Sequence, residues 1–87
     1  MQNFIITFDL YCKWEYFPPV YRLYFDDELM AERTCKINPD QIIQGHVPVL
    51  ADIDAPHTIR IEQLAPQSGI FHIDNLKGCL HIKSEIV

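Results

Sequence analysis

The feature that most constrains the fold is a strict two-residue alternation in the first segment of the chain. Apolar or aromatic side chains occupy every even position from Phe4 to Tyr16, whereas Asp9, Lys13 and Glu15 occupy odd positions. Successive side chains of a β-strand point to opposite faces, so an extended chain can bury the even positions and leave the three charges in water. A helix would scatter those charges into the core. The alternation therefore predicts a long, half-buried first strand.

Turn-forming residues divide the rest of the chain into further short strands. Pro18 and Pro19 end the first strand because proline gives no amide hydrogen to a sheet ladder, and Asp26-Asp27 favours a tight turn. We expect strands at 20–25, 29–37, 47–53, 57–64, 69–76 and 79–87, with breaks at 38–40, 54–56, 65–68 and 77–78, and a loop or short irregular strand at 41–45. About seven strands without a helix-period stretch predict one all-β domain over residues 1–87, a small antiparallel, jelly-roll-like β-sandwich.

Charge and hydropathy exclude two classes of partner. The 12 acidic and 7 basic residues of the 87-residue chain give a net charge of -5, and such a field repels a nucleic-acid backbone. No apolar run approaches the roughly 18 residues that span a bilayer. We therefore expect no nucleic-acid partner, no membrane insertion and synthesis in a cytoplasm.

No motif in the sequence points to catalysis. The chain contains no GxSxG, no HExxH and no glycine-rich phosphate loop, so we expect neither enzymatic activity nor a cofactor. Cys12, Cys35 and Cys79 are widely spaced, which favours three free thiols, two of them packed as small apolar groups.

The histidines and acidic groups do not have the spacing of a metal site. His72 and Asp74, which are two residues apart on one predicted strand, come nearest to a pair of metal ligands, but we predict no metal site. The acidic groups at 26–28 and at 52 and 54 are interpreted as turn residues, with a calcium site as the alternative.

Two features suggest binding. Alternation directs Tyr11, Phe17 and Tyr24 outward, and with Arg22 they form a candidate exposed aromatic patch for a protein or a sugar ring; the alternative is that they only cover the sheet as cross-strand pairs. Arg33 shares the predicted inner face of its strand with Leu29, Ala31 and Cys35. We interpret it as a residue near the sheet edge that either extends its charged end to solvent or pairs with a nearby carboxylate, with ligand binding as the alternative.

Two segments carry a resemblance to known proteins. The sequences PPVYRLYFDDELMAERT at 18–34 and HTIRIE at 57–62 resemble small uncharacterised β-rich proteins of marine cyanobacterial viruses (cyanophages), DELMAERT being the specific part. HTIRIE is also similar to strands of β-sandwich carbohydrate-binding modules. The resemblance implies a viral origin more than an activity, with synthesis in the host cytoplasm.

Three functions follow from that resemblance as expectations. The first is a virion component, a decoration or cement protein that binds the capsid shell or its own copies. The second is a carbohydrate-binding module that uses the outward aromatic residues. The third is an adaptor or inhibitor of a host protein.

Overall fold

The fold is a two-sheet β-sandwich, as the sequence predicts. A computed structural model describes residues 1–36, 42–64 and 69–87. Seven strands lie within these residues: β1 (Gln2–Trp14), β2 (Val20–Phe25), β3 (Glu28–Thr34), β4 (Ile42–Ala51), β5 (Pro56–Gln63), β6 (Gly69–Lys77) and β7 (His81–Ile86). The predicted breaks at 38–40 and 65–68, and residues 37 and 41, lie outside the described residues.

The strands form a three-stranded sheet of order β4-β1-β6 and a four-stranded sheet of order β3-β2-β5-β7. All pairs are antiparallel except β5 with β7, which are parallel. Residues from both sheets form one apolar core, in which the rings of Tyr21 and Phe71 meet edge to face across the sheets with centroids 5.3 Å apart.

Strand β1 confirms the alternation argument. The even positions Ile6, Phe8, Leu10 and Cys12 are buried in the core, since each points toward the facing sheet. The prediction was wrong at its end, because the strand stops at Trp14 and Tyr16 is 82% exposed.

The hairpin between β2 and β3 confirms the predicted turn. It also shows that the side chain of Leu29 lies on the other side of the sheet from the one predicted. Asp26 and Asp27 both have positive φ, 50° and 68°, as a two-residue hairpin turn of type I′ requires. The register then shifts by one residue, so that Leu29 opposes Tyr24 while Ala31 opposes Leu23. A bulge of this kind changes the facing of the strand, and the prediction that Leu29 shares the inner face was therefore wrong.

Strand β4 is longer than predicted and β7 is shorter. Residues 42–45 continue β4 as regular strand paired with β1, so the expected irregular segment is wrong for these residues. Gly45 opposes Phe8, whose ring lies where a Cβ would stand. At the other end of the chain, Cys79 has a φ of 57° and precedes β7, which begins at His81.

Candidate functional site

The four residues of the predicted aromatic patch lie on different parts of the sandwich. Arg22 and Tyr24 lie on the outer face of the four-stranded sheet, Tyr11 lies on the outer face of the three-stranded sheet, and Phe17 is exposed between β1 and β2. The outer faces of two packed sheets point away from each other, so these residues do not form one continuous surface. A binding role for each of them stays a prediction.

Ion pairs cover the outer face of the four-stranded sheet. Arg22 Nε donates to Glu32 Oε1 at 2.8 Å, and Arg60 Nη1 donates to Asp27 Oδ1 at 2.5 Å. These hydrogen bonds to carboxylates raise the pKa of both arginines above the ordinary value. The Arg60 guanidinium also lies 4.4 Å from the centre of the Tyr24 ring, so this aromatic face already has a cation against it.

The outer face of the three-stranded sheet is different, because it exposes aliphatic side chains. Four of them project from its strands into solvent, and we call this surface the aliphatic face: Ile42 (47% exposed), Leu50 (58%), Ile5 (63%) and Ile70 (74%). No salt bridge among the described residues joins two side chains of this face.

The aliphatic face has two apolar ends and a polar centre. At one end Ile5 opposes Pro48, and at the other Tyr11 opposes Ile42. Between them Asp9 opposes Asp74, and Thr7 opposes Lys77. Asn75, which has a φ of 54° at the irregularity in β6, donates its side-chain amide to Asp9 Oδ2 at 2.7 Å.

The buried polar centre of the molecule is His57, which is 7% exposed. Its Nδ1 lies 2.5 Å from Asp26 Oδ2, and its Nε2 lies 2.7 Å from the Asp52 carbonyl oxygen. The Asp52 carbonyl oxygen can only accept, so Nε2 donates to it, and one proton lies between Nδ1 and the Asp26 carboxylate. The bond to the Asp52 carbonyl, and then the bond to Asp26, raise the pKa of His57 above its ordinary value. The ring stacks on Phe25 with centroids 5.2 Å apart.

His57 accounts for the carboxylate of Asp26, whereas its contact with Asp52 is to the backbone carbonyl, and the Asp52 carboxylate lies 3.6 Å from the N-terminal amine. His57 brings the β2–β3 turn and the start of the β4–β5 turn together, and Asp26 Oδ1 accepts a further bond from the Thr58 amide at 2.9 Å. The sequence analysis did not predict this role. The alternation does contain the signal, because His57 lies two residues before the buried Ile59 and four before the buried Ile61, and therefore points to the same inner face.

The described residues bring no three His, Cys, Asp or Glu side chains close enough together to hold a metal ion. His72 and Asp74, the nearest candidates for metal ligands, make other contacts. The His72 ring packs against Tyr11 with centroids 5.8 Å apart. Asp74 Oδ1 accepts a hydrogen bond from the amide of the next residue, Asn75. The two side chains thus serve local contacts.

The cysteines are free thiols, with Cys12 and Cys35 buried and Cys79 exposed, as predicted. The sequence did not show that the two buried thiols meet across the sheets. Burial, and a hydrogen bond with Cys35, raise the pKa of Cys12 well above the ordinary thiol value. Cys12 is therefore an un-ionised packing residue at neutral pH, and Cys35 is buried beside it.

Arg33 lies on the edge strand β3, as expected, but no carboxylate of the described residues pairs with it. It opposes the buried Tyr21 in the register, which places it on the inner side of the sheet at the rim. Burial raises the pKa of Tyr21, and the positive charge of Arg33 opposes that effect. Both residues line a cleft of about 550 Å³.

Comparisons with known proteins do not extend this description. No protein-family model matches the sequence, and no significant match occurs among the curated proteins or the solved structures. The described residues contain no helix of the length and apolarity needed to cross a bilayer. The similarity to cyanophage proteins and to carbohydrate-binding modules stays a prediction.

Proposed function

We propose that this chain is a non-enzymatic protein-binding domain whose docking surface is the aliphatic face. One observation carries the proposal: Ile5, Ile42, Leu50 and Ile70 are exposed on one sheet face, while the corresponding face of the other sheet is covered by ion pairs. Fully burying a side chain of this size is favourable by about 1.5–3 kcal/mol. Covering either face desolvates charged groups, and on the aliphatic face the burial of these four side chains offsets that cost.

The arrangement of apolar and polar groups on the aliphatic face indicates what surface a partner must have. A matching surface offers two apolar contacts separated by a polar strip, with a hydrogen-bond donor or a basic group opposite Asp9 and Asp74. A folded protein surface can supply this arrangement. Self-association of the chain would place this acidic pair in a shared interface, so a different protein suits the face better than a second copy.

The resemblance, rather than the geometry, supplies the finer proposal that the partner is the shell of a virus particle. Under that proposal the domain is made in the host cytoplasm and becomes a decoration or cement protein of the virion. An adaptor or inhibitor of a host protein would use the same face. The carbohydrate alternative has less support, because Arg60 already stacks on Tyr24 and Tyr11 lies on the opposite side of the molecule.

A co-sedimentation experiment tests the docking surface. Purified chain is mixed with virus particles stripped of peripheral proteins, and the bound amount is measured for the wild type and for a triple variant, Ile5→Thr, Leu50→Thr and Ile70→Thr. We expect the triple variant to bind at least about tenfold less, since it loses three apolar contacts. Threonine keeps the strand propensity of the original residues.

The matched control is Leu29→Thr, because Leu29 is 52% exposed on the four-stranded sheet; it should bind like the wild type. Equal binding by the triple variant would overturn the docking surface. Mass spectrometry of intact particles tests the virion proposal separately, and absence of the chain would overturn it. Concentration-dependent dimerisation in sedimentation equilibrium, abolished by the triple variant, would show that a second copy is the occupant and would overturn the choice of a different protein.

A further inference from the structure

The cleft next to Arg33 is a second feature that the proposed docking surface does not use. The edge strands β3 and β4 lie on the same side of the sandwich and flank this cleft, whereas β6 and β7 pack against each other on the other side. No comparable packing joins β3 to β4 in the part of the chain that the structure describes. The sandwich is therefore open along one side.

The interior of the cleft is apolar. Phe8 and Leu10 line it from the three-stranded sheet, and Leu23 and Ala31 line it from the four-stranded sheet. Its volume of about 550 Å³ lies within the range of roughly 300–1,000 Å³ that small-molecule sites occupy. Phe8, Leu10 and Leu23 are only 5%, 1% and 8% exposed, so they form the floor of the cleft, and an apolar group of modest size fits over them between the edge strands β3 and β4.

The rim of the cleft is electropositive although the chain as a whole is acidic. Among the described residues that line the cleft, Arg33 is the one arginine or lysine, and none is Asp or Glu. A guanidinium offers a planar fork of donors that matches a carboxylate. The charge and shape together fit a ligand with one carboxylate and an apolar body.

We propose that this cleft binds a small amphipathic carboxylate, with its carboxylate on Arg33 and its hydrocarbon part between the edge strands β3 and β4. Arg33 is then a ligand-binding residue rather than half of a structural ion pair. The site is independent of the aliphatic face, since its apolar residues point inward. It adds a small-molecule ligand to a domain proposed to bind protein.

Titration with decanoate and with decanol, below their aggregation concentrations, tests the proposal. Two-dimensional NMR of the wild type should show saturable binding of decanoate, with shifts confined to β3, β4 and the core residues of the cleft. The variant Arg33→Gln should weaken decanoate binding by on the order of tenfold, because it removes a charge-assisted hydrogen bond. Decanol should bind the wild type and Arg33→Gln equally weakly.

Two further variants make the result specific. Arg22→Gln removes an arginine from the outer face of the same sheet and should leave decanoate affinity unchanged. Ala31→Phe fills the cleft and should abolish binding in a chain that still shows the dispersed spectrum of a folded sandwich. Unchanged affinity in Arg33→Gln, equal affinity for decanol and decanoate, shifts centred on Ile5 or Ile70, or no binding at all would each overturn the proposal.

Discussion

The two outer faces of this sandwich are built from the same alternating pattern but present opposite chemistry. On the four-stranded sheet, charged side chains pair with one another, as Arg22 does with Glu32 and Arg60 with Asp27. On the three-stranded sheet, Ile5 and Ile70 stand exposed in comparable positions. Both sheets contribute buried residues to the core, although the edge strands β3 and β7 contain none. An exposed aliphatic surface of this kind is typical of an interaction site.

The largest expected effect is the difference in stability loss between a substitution on the buried side of β1 and one on its exposed side. Replacing the fully buried Ile6 with alanine should lower the free energy of unfolding by about 2–5 kcal/mol, whereas Ile5→Thr should change it by no more than about 0.5 kcal/mol. Urea unfolding followed by tryptophan fluorescence measures both. Ile6→Val, expected to cost about 0.5–1.5 kcal/mol, serves if Ile6→Ala does not fold. A loss in Ile5→Thr as large as that in Ile6→Ala would mean that the aliphatic face is covered within the monomer.

An intermediate effect is expected at the β2–β3 turn. The variant Asp26→Asn keeps the shape of the side chain but removes the carboxylate that hydrogen-bonds to the buried His57 ring. We expect a loss of about 1–3 kcal/mol, because the buried ring loses its charged partner. Asp54→Asn, in the β4–β5 turn, is the control and should remain near wild-type stability; equal losses in the two variants would contradict the assignment.

The same group makes stability depend on pH. The pKa of His57 is raised in the folded state, so the folded chain holds its proton more tightly than the unfolded chain does. This contribution is fully present below the ordinary histidine pKa of about 6.5 and is lost as pH rises through the higher folded value. The melting temperature should therefore fall between about pH 6.5 and the folded pKa, and His57→Gln should remove that part of the pH dependence. An unchanged pH profile in His57→Gln would exclude this residue as its source.

The smallest effect is expected on the ion-paired face. Arg60→Gln breaks an exposed salt bridge, which solvent and salt screen, so it should shift the melting temperature less than any change above. Raising the salt concentration should erase even that difference. A large loss in Arg60→Gln would show that this ion pair is part of the stabilising framework rather than a surface covering.

Local patterns predicted the strands well but could not assign them to sheets. The two-residue period correctly predicted which side of β1 is buried, and Asp26-Asp27 correctly predicted the hairpin turn. Both features depend on residues close in sequence. Tyr11 and Tyr24 are also close in sequence, yet β1 and β2 belong to different sheets. That assignment depends on pairing with β4, β5 and β6, which no local pattern records.

The errors at Leu29 and at residues 42–45 have a related cause. A bulge in β3 reverses the facing of Leu29, and alternation has no signal for where a bulge falls. Gly45 reads as a break in sequence, but it belongs to β4 because only a glycine leaves room for the Phe8 ring on the neighbouring strand. Arg33 was correctly placed at an edge, and its role depends on groups that only the folded chain assembles.

Strand order also affects how the chain is synthesised. Of the seven described strands, β1 leaves the ribosome first; it is the central strand of its sheet, and its two partners are β4 and the much later β6. In contrast, β2 and β3 can close a local hairpin at once. Until β6 emerges, β1 keeps an open hydrogen-bonding edge and apolar residues on both sides, so nascent chains of this protein depend on prompt completion or on chaperone protection.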